Sequence, residues 1–221
     1  MKPLILFDFD GTLADTAPDL AAAANAQRTA KGLPPLPLTD LRHMASHGAR
    51  GLLGVALGLK PEDPDYEAAK QAFLADYERN IAVHTVLFPG VEALLAELHR
   101  RATPWGIVTN KVTRLALPLV KHLDLHEASV ITVCGDTTAY FKPHPEPLLH
   151  AAREAGHAPE DCIYVGDDLR DIVAGKAAGM KTIAVGYGYN GDSDPVAAWG
   201  ADEIAHTPED LLPAIDRLHL K

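Results

Sequence analysis

The chain has 221 residues, 47% of them hydrophobic and 23% charged, with a formal net charge of −10. That length supports one good core, or one core with a small appended domain. The acidic balance offers no basic surface for phosphate backbones and so excludes a nucleic-acid partner, while a small phosphorylated ligand stays possible because a bound metal ion reverses the local sign.

The first predicted element is the apolar run Leu4-Ile5-Leu6-Phe7, which leads straight into Asp8-Phe9-Asp10-Gly11-Thr12-Leu13. An unbroken apolar run reads as a strand buried on both faces, hence a parallel sheet. Asp8 and Asp10 then fall at its carboxyl end, where open α/β sheets place their chemistry. Two like charges buried a few ångströms apart need compensation, and a divalent cation is the simplest form of it. Hard oxygen ligands favour Mg²⁺. Gly11 permits a tight exit from the strand and Thr12 helps to hold it. A bare Asp-Gly pair also suits a hairpin turn. The next segment is long and helical, with Asp15 or Thr16 as cap and Pro18 near the first turn, so a short hairpin fails.

Residues 16–31 are predicted helical, and Lys31-Gly32 stops the run. Leu33-Pro34-Pro35-Leu36-Pro37-Leu38 is a connector. Thr39 or Asp40 caps a short helix through Met44, Ser46-His47-Gly48-Ala49 breaks it, and Arg50 to Leu57 forms another. Tyr66, Ala69, Phe73, Tyr77 and Ile81 recur at helical spacing in a long helix. From Val86 the pattern changes. Strands are expected at 105–110, 129–134, 162–165 and 182–185, with a weak one at 203–205, and helices at 91–101, 115–123, 147–155, 171–178 and 208–218. Strands alternating with helices predict an α/β fold, a doubly wound, Rossmann-like parallel sheet. Its core comprises residues 1–15 and 86–221, and residues 16–85 form an inserted all-helical cap over the carboxyl edge. Cys134 and Cys162 have no disulfide or metal-ligand spacing and read as two reduced, buried thiols. Met1-Lys2-Pro3 leads directly into the first strand and no apolar stretch reaches membrane-spanning length, so no signal peptide and no membrane association are expected and the location is cytoplasmic. Monomer and homodimer both fit.

Parallel strands bring their polar ends to one edge. The first supplies Asp8 and Asp10, the second Thr109, Asn110 and Lys111, the segment after the third Lys142-Pro143, and the fourth Asp167, Asp168 and Asp171. Carboxylates with a hydroxyl and a lysine suit phosphoryl transfer, where charge spread over three oxygens calls for a metal, a cation and hydrogen-bond donors. Taken singly, Thr109-Asn110 also fits a helix cap, Lys142 a solvated loop lysine, and Gly166-Asp167-Asp168 a turn. Their joint order carries the reading.

That order resembles the four motifs of the haloacid dehalogenase (HAD) superfamily, in its phosphatase branch: Asp8-Phe9-Asp10-Gly11-Thr12-Leu13, Val108-Thr109-Asn110-Lys111, Lys142-Pro143, and Gly166-Asp167-Asp168-Leu169-Arg170-Asp171. The sequence is similar throughout to the phosphoglycolate phosphatases and the N-acetylmuramic acid 6-phosphate phosphatases. Lys142-Pro143-His144-Pro145-Glu146-Pro147-Leu148 and Tyr187-Gly188-Tyr189 fit both groups, whereas Ala82-Val83-His84 and Trp199-Gly200-Ala201-Asp202 look more like the second. Many relatives have Ser at the position of Asp168, which leaves its division of work with Asp171 open.

The resemblance implies a Mg²⁺-dependent phosphomonoesterase acting on a small phosphorylated metabolite, 2-phosphoglycolate or N-acetylmuramate 6-phosphate. Asp8 is the implied nucleophile. The metal is held by Asp8, the Asp10 carbonyl and Asp167, with Asp171 orienting metal-bound water. Thr109 and Asn110 donate to phosphoryl oxygens, Lys142 neutralises charge, and Asp10 is general acid and then base, a role that anionic neighbours would favour by raising its pKa. In the cap, Gly48 permits close approach and Arg50 grips a substrate carboxylate. Hinges are expected near Asp15–Thr16 and His84–Phe88. The rivals are a phosphomutase of the same fold, which returns the phosphoryl group to a sugar, and a non-enzymatic phospho-acceptor or binding protein, for which the 70-residue helical insert has no purpose.

Overall fold

The computed structural model describes residues 2–191 and 195–219, so Met1 of the lead-in lies outside it. Strand β1 (Leu4–Phe7) is buried at every position and lies between β4 (Trp105–Val108) and β6 (Cys162–Gly166), parallel to both. With β5 (Thr132–Val133), β7 (Lys181–Val185) and β8 (Glu203–Ala205) the sheet has six strands in the order β5-β4-β1-β6-β7-β8. All pairings in it are parallel. The strand first in sequence is therefore interior to the sheet.

Period-two alternation sends β1 residues to opposite faces. Ile5 and Phe7 join a core with α5 (Val91–Arg100), α6 (Thr113–His122) and α9 (Leu211–His219). Leu4 and Leu6 pack with α7 (Glu146–Glu154) and α8 (Leu169–Ala177). Helices on both faces are what a doubly wound sheet requires.

Between β2 (Ala14–Asp15) and β3 (Val86–Leu87) the described chain is helical: α1 (Ala17–Ala30), α2 (Leu38–Arg42), α3 (Gly48–Leu57) and α4 (Tyr66–Arg79). Leu20, Ala23 and Ala24 of α1 join Leu52, Leu53 and Ala56 of α3 and Phe73 and Tyr77 of α4 in one apolar cluster. The two short strands pair antiparallel, Ala14 opposite Leu87 and Asp15 opposite Val86. Beside them the buried Asp19 carboxylate accepts from His84 N (3.0 Å), Thr85 N (2.9 Å) and Thr85 Oγ1 (2.8 Å), fixing the chain's return to its exit.

Several boundaries differ from expectation for local reasons. No Thr16 side-chain bond caps α1; the Tyr189 hydroxyl accepts from Thr16 N (2.7 Å) and Ala17 N (2.9 Å) instead. Helix α2 starts after Pro37, so Thr39 and Asp40 fall inside its first turn. The break before α3 is a single tight turn at Ala45–His47, and α3 begins at Gly48 rather than Arg50. The strand expected over 129–134 narrows to Thr132–Val133 at the sheet edge. Helix α8 begins at Leu169, two residues early, because Asp168 accepts from the Arg170 backbone while Asp171 accepts from Asp168 N, a reciprocal cap. Cys134 and Cys162 are free and buried. Among the described residues no helix is long and apolar enough to cross a membrane.

Candidate active site

Beyond β1 the chain turns tightly: Phe9 O accepts from Leu13 N (3.1 Å) and Ala14 N (3.0 Å). Gly11 sits in the turn at φ +86°, and a Cβ there would meet Asp167 Oδ2 at 2.1 Å, so only glycine lets this turn lie against the acid that ends β6. The carboxyl edge thereby gathers Asp8, Asp167 and Asp171, each buried, with ligand oxygens within 4.8 Å of one another. Three acids buried together repel. Burial, reinforced by Asp171, pushes Asp8 up to about 7 against the pull of Lys142. Burial and the neighbouring Asp8 hold Asp167 well above the carboxylate range. The donor set therefore fits a hard divalent cation, which relieves the repulsion without a proton.

Lys142 supplies the opposite charge. Its Nζ, 2% exposed as a side chain, lies 2.8 Å from Asp8 Oδ1 and 2.8 Å from Asp171 Oδ1, and donates to Tyr164 Oη at 2.7 Å. The Tyr164 hydroxyl donates its own proton to Val108 O at 2.9 Å. Burial alone would lower the ammonium; Asp171 and Asp8 outweigh that and hold it above its ordinary value. Asp167 is aimed by Thr12 Oγ1 (3.2 Å), Tyr189 N (2.8 Å) and Ser46 Oγ (3.4 Å).

The remaining expected residues divide. Thr109 is buried after β4 and lines the cavity; its Oγ1 accepts from Lys111 N at 3.1 Å. Asn110 lines the cavity as well, and its amide holds the chain: Nδ2 donates to Lys142 O and Oδ1 accepts from Lys142 N, both at 2.9 Å, which leaves one N–H of the amide for a ligand. Its observed work is to clamp the lysine loop. The Asp10 carboxylate does not join the acid cluster. Its charged contact is Lys111 Nζ at 2.8 Å, and Thr16 Oγ1 donates to it at 2.5 Å, so the anionic setting expected for it is replaced by a cation and a hydroxyl. Asp168 is drawn off by Arg170, whose guanidinium bonds it twice, at 2.9 and 2.8 Å. Burial would raise Asp168; Arg170 keeps it below its ordinary value. The same guanidinium donates to Ser46 O at 2.9 Å and so joins the helical segment to the sheet edge.

Asp8, Asp10, Thr109 and Lys142 open onto one cavity of about 730 Å³, bounded on the helical side by Gly48, exposed Arg50, Phe73 and Tyr77. Gly48 sits at φ +54°, and a Cβ there would meet nothing within 4 Å.

The sequence marks Lys111 only as a polar strand end and assigns no role to Tyr164 or Arg170. Tyr164 reads as one more core aromatic. Lys111 and Arg170 lie inside motifs, and a charge at a buried strand end was the available signal.

A family model described as haloacid dehalogenase-like hydrolase matches residues 5–185. The N-acetylmuramic acid 6-phosphate phosphatase of Pseudomonas aeruginosa is 44% identical over 213 residues, covering 96% of this chain and 94% of the relative. A phosphoglycolate phosphatase of Xanthomonas campestris is 43% identical over 208 residues, covering 94% and 93%. A crystal structure from Haemophilus somnus, titled as a predicted phosphoglycolate phosphatase, superposes with a TM-score of 0.84 at 27% identity, covering 96% of this chain and 97% of that one. With the family model spanning most of the chain and relatives above 40% identical almost end to end, the chain belongs to the haloacid dehalogenase-like hydrolases.

Proposed function

We propose that the chain is a Mg²⁺-dependent phosphomonoesterase that works through an aspartyl-phosphate on Asp8, and that its substrate is N-acetylmuramate 6-phosphate. The observation that carries the reading is the buried set Asp8, Asp167 and Asp171 against the single ammonium of Lys142. Asp8, Asp167 and the Asp10 carbonyl would hold the ion, with Asp171 behind them. When bound, Mg²⁺ offsets charge on the phosphoryl oxygens and eases their approach to a carboxylate.

In this scheme an Asp8 oxygen forms a bond to phosphorus as the bond to the leaving oxygen breaks. Lys142 neutralises charge on Asp8 and the transferring group, and Thr109 donates to a phosphoryl oxygen. Asp10, which Lys111 and Thr16 hold as a carboxylate in the free protein, takes up a proton when the phosphoryl anion enters beside it and passes it to the leaving alcohol. It then takes one from the water that cleaves the aspartyl-phosphate, which returns Asp8 as a carboxylate. Residues 16–85 act as the cap that selects substrate. Arg50, with no ion-pair partner among the described residues, receives the substrate carboxylate.

A cavity of about 730 Å³ has room for the aminosugar ester, and the Pseudomonas relative supports that reading. The second reading, 2-phosphoglycolate, rests on the Xanthomonas relative. Phosphate release from the two esters side by side, with Mg²⁺ and with chelator and with glucose phosphates as controls, tests both. We expect Mg²⁺-dependent release favouring N-acetylmuramate 6-phosphate by about tenfold in kcat/KM, roughly 1.4 kcal/mol of discrimination. The reverse preference selects the second reading, and no release from any ester refutes the phosphatase.

A further inference from the structure

Tyr77, on α4, is 1% exposed, and its hydroxyl has no hydrogen-bond partner among the described residues. Buried hydroxyls are nearly always satisfied, and a phenylalanine would pack as well here without the cost of a stranded polar atom. The ring already has its packing: it stacks on Phe73, centroids 6.4 Å apart at 16°. Packing therefore accounts for the ring and leaves the oxygen unexplained. Tyr77 lines the same cavity as Asp8 and Asp10. Lys111 Nζ lies 5.0 Å from the Tyr77 ring centroid while holding Asp10 Oδ1 at 2.8 Å. The orphan hydroxyl thus belongs to the part of the cavity held by the Lys111–Asp10 pair, where the scheme above puts the leaving group.

We propose that the Tyr77 hydroxyl and the Lys111 ammonium form a subsite for an acceptor oxygen on the leaving alcohol, so that the cap helix itself reads the alcohol next to the bond being broken. This rests on the phosphatase reading above. Both groups donate. Burial pushes Tyr77 up to about 12 against the pull of Lys111, so the phenol keeps its proton at neutral pH. The class of ester selected is one whose alcohol carries further oxygen, as a sugar or hydroxy acid does. A plain alkyl ester leaves the hydroxyl stranded.

The test is Tyr77→Phe, assayed with Mg²⁺ on N-acetylmuramate 6-phosphate and on propyl phosphate, with thermal unfolding of the free protein alongside. The ratio of the two kcat/KM values cancels any general damage to the site. We expect that ratio to fall about tenfold in the variant, with Tm equal to or above that of the parent. A ratio within twofold of the parent overturns the proposal. So does a Tm lowered by several degrees, which would show that the hydroxyl is bonded inside the protein. If the parent releases phosphate from neither ester, the phosphatase reading fails first and takes this proposal with it.

Discussion

Lys142→Met removes one positive charge and leaves a side chain of similar length, so the variant isolates the electrostatic work of the lysine. In the parent, the ammonium lies 2.8 Å from both Asp8 and Asp171, at 2% side-chain exposure. Breaking a buried ion pair by removing one partner costs about 3–5 kcal/mol, because the remaining charge stays desolvated. Here two carboxylates lose their counter-ion together, and Asp167 is close enough to add its repulsion. Protonation offers a partial escape, since Asp8 titrates near 7 and would take up a proton more readily without the lysine. At pH 8 in chelator taking up that proton costs more than at neutral pH and three acids share the site, so we expect a loss of about 4 kcal/mol. With a urea slope of about 2 kcal/mol/M, the unfolding midpoint moves down by about 2 M. Millimolar Mg²⁺ should recover part of the loss, because the ion supplies to the acids some of the charge that the lysine took away. A midpoint shift below about 0.5 M in chelator would refute the reasoning and show that the acids are neutral or solvated in the folded protein.

Asp8→Asn should abolish phosphate release while leaving the free protein at least as stable as the parent at pH 8, since it removes a repelling charge; near-parental turnover would sink the nucleophile assignment. The chelated parent should itself gain stability as pH falls. The folded Asp8 pKa, about 7, exceeds its ordinary value of 3.8, so the folded state binds more protons between the two. Its contribution is full below about 4 and gone above about 7, and urea midpoints in chelator should rise from pH 8 to pH 5; a flat profile contradicts it. Asn110→Ala should lower kcat by about tenfold or more and cost about 1–2 kcal/mol of stability, because two 2.9 Å bonds to the Lys142 backbone are lost; an unchanged kcat would return Asn110 to a passive role. Arg170→Ala should free the turn at Ser46, seen as faster amide exchange over residues 45–50, and equal exchange rates would exclude the link.

Much of the site was legible because chemistry and topology coincide in the sequence. An apolar run that stops at Asp8, another that stops at Thr109 and a third at Asp167 each mark a strand whose end is polar, and a parallel sheet carries those ends to one edge. Lys142 required the joint pattern, since a lone loop lysine is solvated more often than buried. What was hidden depends on partners that sequence distance conceals. Tyr164 is spaced like any inward residue of β6, and only the neighbouring β1 and β4 place its hydroxyl between Lys142 and Val108. Tyr77 keeps helical spacing with Phe73 and reads as core. The clamp that Asn110 places on the Lys142 loop is hidden as well, because an amide offers donors to anything nearby and its partner lies 32 residues away. The ribbon of β2 and β3 has two residues a side, too short for any alternation to register.

That ribbon decides how freely the rest of the molecule can be rebuilt. Ala14 faces Leu87 and Asp15 faces Val86, so the chain leaves for its helical excursion and returns within one strand spacing, about 5 Å. Beyond the Asp19 bonds to His84 and Thr85 beside it, the ribbon closes the sheet's own connection by itself. A segment with adjoining ends can be lengthened or exchanged without pulling β1 and α5 out of place, provided the Asp19 bonds at its ends are kept. Under the proposed assignment of substrate selection to that segment, substrate range drifts there while Asp8, Thr109, Lys142 and Asp167 stay where the sheet holds them.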